Sequence, residues 1–109
     1  MAYDEGLAER IRQRLGADPG VSEKRMFGGI AFLLHGNMAV GVIGDALIVR
    51  VGPDATDAAL ARPGARRFDM TGRPMRGWVV VDASAVSEDE TLGEWIDEGY
   101  GFAAGLPTK

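Results

Sequence analysis

Residues 30–51 constrain the fold more than any other stretch. Ile30–His35, Met38–Ile43 and Ala46–Val51 are three apolar runs of equal length, separated by Gly36-Asn37 and Gly44-Asp45. Gly, Asn and Asp accept the positive φ that two-residue hairpin turns demand, so the segment predicts a three-stranded antiparallel meander. Such loops pair Leu33 with Val40 and Val40 with Val49. Alternation then puts Ala31, Leu33, His35, Met38, Val40, Val42, Leu47, Val49 and Val51 on one face. Ile30, Phe32, Leu34, Ala39, Gly41, Ile43, Ala46, Ile48 and Arg50 fall on the other. Both faces are apolar, whereas an antiparallel sheet with one side in water has a single apolar face. Each face therefore needs a cover: helices on one, and the remaining helix or a partner subunit on the other. Phe32, Leu34, Ile48 and Arg50 mark that second face as a candidate interaction surface. Gly41, small between larger neighbours, predicts that Phe32 folds across it or that another element comes close.

The flanking sequence supplies helices and three more strands. Asp4 to Leu15 predicts a helix, with Asp4 as N-cap, an apolar stripe of Leu7, Ala8, Ile11 and Leu15, and Gly16 at the C′ position. Its early acids and late Arg10, Arg12 and Arg14 suit the helix dipole. Asp18-Pro19-Gly20 is a turn. Val21 to Phe27 is a polar strand whose Lys24 and Arg25 would blunt a sheet edge. Gly28-Gly29 predicts a bulge or sharp bend. Pro53 to Ala61 is a short helix opened by proline. Ala65–Met70 and Gly77–Asp82 form a second hairpin with a long loop. Ser87 to Glu90 has the capping-box pattern. Leu92, Trp95, Ile96, Gly99, Phe102, Ala103 and Leu106 then make the stripe of a last helix, with Gly99 a point of close contact with the sheet. The expectation is an α+β fold in the order α-β-β-β-β-α-β-β-α, one antiparallel sheet with helices at both termini, in a single domain over residues 1–109.

Composition narrows the function. Hydrophobic residues make up 46% of the 109, enough for a folded core and too many for a disordered chain. With no cysteine there is no disulfide, thiol nucleophile or thiolate metal site. The apolar runs are strand-length, so no membrane span is expected, and without a signal-peptide pattern the expected location is the cytoplasm. The net charge of −4 argues against a surface built wholly for nucleic acid.

Few residues could carry chemistry. His35 is the sole histidine and closes a strand, a position that suits packing better than general-base work. No metal-ligand spacing and no serine triad context occurs, so no catalyst, metal or cofactor is expected. The sharpest charge feature sets Arg62, Arg66, Arg67, Arg73 and Arg76 against Asp69 alone. Residues 82–98 hold seven acids and no base. The arginines could pair with the acidic helix. Alternatively, with Trp78 for stacking, they could form an anion or nucleic-acid site. A small-ligand pocket or a minor enzymatic activity near His35, Met38 and Gly28-Gly29 is a further alternative. Met26, Met38, Met70 and Met75 recur near strand ends, where they can fill gaps in a small core.

Several stretches, taken in order, resemble the N-terminal domain of the TfoX (Sxy) family. They are Met1-Ala2-Tyr3-Asp4-Glu5, Met26-Phe27-Gly28-Gly29, Gly36-Asn37-Met38, Arg50-Val51-Gly52-Pro53 and Gly72-Arg73-Pro74-Met75-Arg76-Gly77-Trp78-Val79, with the final helix ending in Leu106-Pro107. The resemblance runs from end to end. It implies an α+β fold with one antiparallel sheet, and kinship to competence regulators that act with the cAMP receptor protein at promoters of DNA-uptake genes. Those regulators carry a helical C-terminal domain; a sequence ending at Lys109 is expected to be a stand-alone form without it. The family implies no catalytic residues. The combined expectation is a non-enzymatic regulatory module that associates with other proteins, as a homodimer or with a transcription regulator.

Overall fold

The computed structural model describes residues 3–26, 28–69 and 74–108, with the side chains of Pro74 and Met75 outside that description. The chain runs α1 (Glu5–Leu15), β1 (Val21–Met26), β2 (Gly29–Leu34), β3 (Asn37–Ile43), β4 (Ala46–Arg50), a 3-10 turn at Pro53–Ala55, α2 (Thr56–Leu60), β5 (Ala65–Asp69), β6 (Pro74–Val81), a second 3-10 turn at Ala83–Val86, and α3 (Asp89–Ala104). The six strands form one sheet in the order β1-β2-β3-β4-β6-β5, with every neighbouring pair antiparallel. The α+β architecture and the meander at its centre are as the sequence predicts. The polar strand β1 lies at one edge, with Lys24 and Arg25 exposed.

The register of the meander differs from expectation in one place. The first turn is His35-Gly36, with φ of 51° and 85°, one residue earlier than Gly36-Asn37. Leu33 pairs with Met38, yet Phe32 pairs with Val40, so Ala39 is an extra residue in β3. This bulge flips the facing of everything beyond it. Ile30 and Phe32 consequently share a face with Val40, Val42, Leu47 and Val49, while Ala31 lies beside Gly41 and Ile48. The β3–β4 register, Val40 opposite Val49, is as predicted. Asn37 explains the early turn: its buried amide donates to the Pro107 carbonyl at 2.8 Å, so it must start β3 instead of occupying the turn. The cost is a positive φ at His35, a non-glycine residue.

All three helices pack on one side of the sheet. Leu7, Ile11 and Leu15 of α1, Ala59 of α2 and Leu92, Trp95 and Ile96 of α3 join Ile30, Phe32, Val40, Val42, Leu47, Val49, Val79 and Val81 in one core. Gly99 lets α3 lie directly on β3, since a Cβ there would stand 2.5 Å from the Ala39 carbonyl oxygen. Asp4 caps α1 by accepting from the Leu7 amide at 3.1 Å, as predicted. Gly16 is right-handed, with φ −67°, and so does not make a left-handed C′ stop. The capping box at Ser87 does not form either. Glu88 occupies the N-cap of α3 with no side-chain bond, and the Ser87 hydroxyl donates to the Ser84 carbonyl. The 3-10 turn just ahead claims Ser87 first.

The helices are tied together by charge across elements. Arg10 pairs with Asp89 and Arg14 with Asp97 of α3; Arg12 bridges Glu9 and Glu23 of β1. The α1 arginines therefore reach partners on other elements and do not serve the helix dipole alone. At exposed positions each pair contributes less than about 1 kcal/mol.

Candidate interaction surface

The sheet's second face carries no helix among the described residues. Ala46, Ile48, Phe68 and Val80 form a separate buried cluster there, with Met38, Ile43 and Trp78 packed half-exposed around it. Period-two alternation places these side chains: Ile48 on β4 lies opposite Val80 on β6 and Gly41 on β3. Nothing larger than Gly41 fits its site, because a Cβ would stand 2.7 Å from the Met38 Cε and 2.8 Å from the Ile30 carbonyl oxygen. Met38, and not Phe32, folds across the glycine. The face is thus apolar and uncovered by helices, and it is roofed in part by its own methionine and aromatics. A shallow groove of about 520 Å³ continues from it along Ile43–Ala46, Arg66–Asp69 and Val80.

Of the residues expected on this face, Ile48 and Arg50 are there. Phe32 and Leu34 are not. Phe32 is buried under the helices, and Leu34 packs against Ala39 and Ala103 of α3. Period two across the second hairpin is the signal that points to Phe68 and Val80, and the hairpin's arginines obscure it.

One end of the face is closed by a polar knot. The Val51 and Gly52 amides both donate to the Gly77 carbonyl, at 2.9 and 3.0 Å. The buried Thr56 hydroxyl donates to the Gly52 carbonyl at 2.8 Å and accepts from the Gly77 amide at 2.9 Å. Gly52, at φ +90°, has the Phe102 ring where a Cβ would go. Arg50 emerges beside this knot. Its guanidinium carbon stands 5.1 Å from the Trp78 ring centre and 5.4 Å from that of Phe102. Arg50 makes no ion pair or side-chain hydrogen bond among the described residues. Two aromatic rings orient the cation and leave its N–H donors open.

The arginines of 62–76 are dispersed. Arg62 stacks on Trp95 at 3.5 Å and pairs with Glu98 at 2.6 Å. Arg66 pairs with Asp82 at 2.9 Å. Arg76 is exposed, 4.0 Å from Asp57. Arg67 is exposed, and Arg73 lies outside the described residues, as do Met70 and the Met75 side chain. Trp78 packs toward Phe68 and Arg50. His35 is exposed, with its ring over Gly20. Near it the Tyr100 hydroxyl donates to Asp18, which also accepts from the Gly20 amide at 2.8 Å. These bonds hold the Asp18 carboxyl below its ordinary pKa. Met38 and Gly28 do not join His35 in a site: Met38 lies over Gly41 on the open face, and Gly28 is an exposed turn residue with φ +76°. No group of three or more His, Asp or Glu side chains able to hold a metal occurs among the described residues.

The stretches quoted from the sequence therefore have physical roles. Gly29 packs its bare α-carbon against the Val42 carbonyl, where a Cβ would stand 2.0 Å away. Asn37 anchors the chain end, and Gly52 and Gly77 make the knot. The profile of the TfoX N-terminal domain matches residues 13–103. The chain belongs to the TfoX N-terminal domain family. Membership makes it a domain of a general regulatory or competence-related kind. No curated protein matches the chain significantly. Among the described residues of this TfoX-family domain, no helix is long and apolar enough to cross a membrane.

Proposed function

We propose that this TfoX-family domain is a non-enzymatic regulatory module that works by association, with a second copy of itself as the first partner. In that role it would serve transcriptional or competence regulation. The observation that supports the proposal is the half-exposed apolar rim of Met38, Ile43 and Trp78 on the helix-free face, set around a cluster of Ala46, Ile48, Phe68 and Val80 that is already buried. A solvent-facing antiparallel face is ordinarily polar, and a group of half-exposed apolar side chains on one face supports an interaction site there. A nucleic-acid role is less well supported, because Arg62 and Arg66 already have acidic partners.

Sedimentation velocity at micromolar concentration tests the proposal. Dimer is expected for the natural chain, and monomer for Ile43→Lys. A monomer at every concentration would refute it. So would tight, salt-dependent binding of single-stranded DNA that is lost on joint replacement of Arg66 and Arg67 by alanine, or substrate turnover that depends on His35.

A further inference from the structure

Arg10, Arg12, Arg50 and Arg62 are the half-buried arginines among the described residues, and only Arg50 lacks a carboxylate there. Arg10 has Asp89, Arg12 has Glu9 and Glu23, and Arg62 has Glu98. Arg50 has two rings instead, with its guanidinium carbon 5.1 Å from the centre of Trp78 and 5.4 Å from that of Phe102. The ring faces attract the cation and account for where it sits. They leave its N–H donors to be matched by an oxygen acceptor, and the described residues supply none.

The surroundings of this cation are fixed before anything binds. Trp78 stands directly opposite Arg50 in the β4–β6 register, so both project to the same face. Phe68 steadies the indole, with ring centres 6.4 Å apart. Phe102 comes from α3 and fills the space that a Cβ on Gly52 would need. The Gly52 segment is itself tied to β6 through the Thr56 hydroxyl, which bonds the Gly52 carbonyl and the Gly77 amide. A guanidinium held in this way needs little further ordering on binding a ligand.

The chemistry of the site selects a carboxylate. Two parallel N–H···O bonds from a guanidinium match the spacing of carboxylate oxygens. One cation balances one negative charge, whereas a phosphate dianion or a nucleic acid would bring more. The chain carries −4 overall, and Asp54 and Asp57 follow Gly52 closely while Asp69 lies opposite Pro74 on the strand that also holds Trp78. These acids repel a polyanion more strongly than a single carboxylate. Both rings are half-exposed, so an apolar group beside that carboxylate finds apolar surface to cover.

We infer that Arg50, Trp78 and Phe102 form a binding site for a monocarboxylate that carries an apolar group, supplied by a free organic acid or by the end of a peptide chain. The site is complete within one chain, so it does not rest on self-association.

NMR titration of the full, isotope-labelled chain at constant ionic strength tests it. Sodium benzoate should shift the Arg50 Nε–H and Trp78 indole N–H signals along a saturating curve. The Nε–H of Arg67, exposed and without an ion pair among the described residues, should only drift. Benzamide, with the same shape and no charge, should bind at least about tenfold more weakly, and so should inorganic phosphate. N-acetyl-alanyl-phenylalanine and its C-terminal amide separate the two sources: a free dipeptide that binds more tightly than benzoate assigns the ligand to a chain end, and one that binds more weakly assigns it to a free acid. Arg50→Met keeps the stem against the rings and removes the charge, and should abolish saturation with the circular dichroism unchanged. Trp78→Leu keeps the cation and loses one ring, and should weaken benzoate several-fold. An Arg50 signal that moves no more than that of Arg67 overturns the site. So does benzamide or phosphate binding as tightly as benzoate, or full affinity in either variant.

Discussion

Gly99 and Gly101 lie two turns' reach from the same end of α3, and alanine at each should move stability in opposite directions. At Gly101 nothing lies within 4 Å of the new Cβ. The substitution there recovers only the helix-propensity difference, about 1 kcal/mol. At Gly99 the new methyl would stand 2.5 Å from the Ala39 carbonyl oxygen and 2.8 Å from Val40 Cγ1. The first neighbour is backbone in the middle of a buried sheet and cannot rotate aside. An ordinary contact of about 3.4 Å requires α3 to lift by about 0.9 Å, a gap that forfeits a quarter to a half of each dispersion contact beneath it. Overpacking of this kind costs about 1–3 kcal/mol, and an immovable neighbour puts Gly99 at the upper end. Less the propensity gain of about 1 kcal/mol, the net loss is about 2 kcal/mol. In a chain of 109 residues 1 kcal/mol corresponds to about 4 °C in Tm. Gly99→Ala should therefore melt about 8 °C lower than the natural chain, and Gly101→Ala about 4 °C higher, as followed by circular dichroism and checked by urea titration. Equal or raised stability for Gly99→Ala would refute the close approach of α3 to β3.

Thr56→Val should destabilise the chain by about 2 kcal/mol or more, because the Gly52 carbonyl and the Gly77 amide would both lose their buried partner. Thr56→Ser should stay close to the natural value, and urea denaturation distinguishes the two. Stability should also fall in acid. Hydrogen bonds from Arg12 and Arg14 hold the Glu23 and Asp97 carboxyls below their ordinary values. Groups depressed in the folded state stabilise it above their unfolded pKa, and that contribution is lost as pH falls through the folded one. Melting temperature should thus be flat near neutrality and decline below the ordinary carboxylate range. Joint replacement of Glu23 by Gln and Asp97 by Asn should flatten that decline; an unchanged acid limb would remove these pairs from the account.

Local rules were enough for much of the molecule. The stripe of Leu7, Ala8, Ile11 and Leu15 is the buried face of α1, and Asp4 is its cap, because helix periodicity and capping depend on residues within one turn. The meander was legible because its apolar runs and turn residues lie adjacent in the chain. The site was less so. Alternation puts Ile48 and Arg50 on the helix-free face, as observed, but also puts Phe32 and Leu34 there, which the structure corrects, since one extra residue at Ala39 reverses a strand and leaves no compositional mark.

The order of local elements, the class of fold and the apolar character of both sheet faces follow from the sequence alone, since each is set by neighbours a few residues apart. Only the tertiary structure decided that α1, α2 and α3 share one side of the sheet, and that β6 slips between β4 and β5. It also decided that Asn37 is claimed by Pro107, and that Arg50 finds Trp78 and Phe102 but no acid among the described residues. Those outcomes join residues tens of positions apart. They turn on which packing fills space best around Gly41, Gly52 and Gly99, a competition between long-range contacts that no short window of sequence contains.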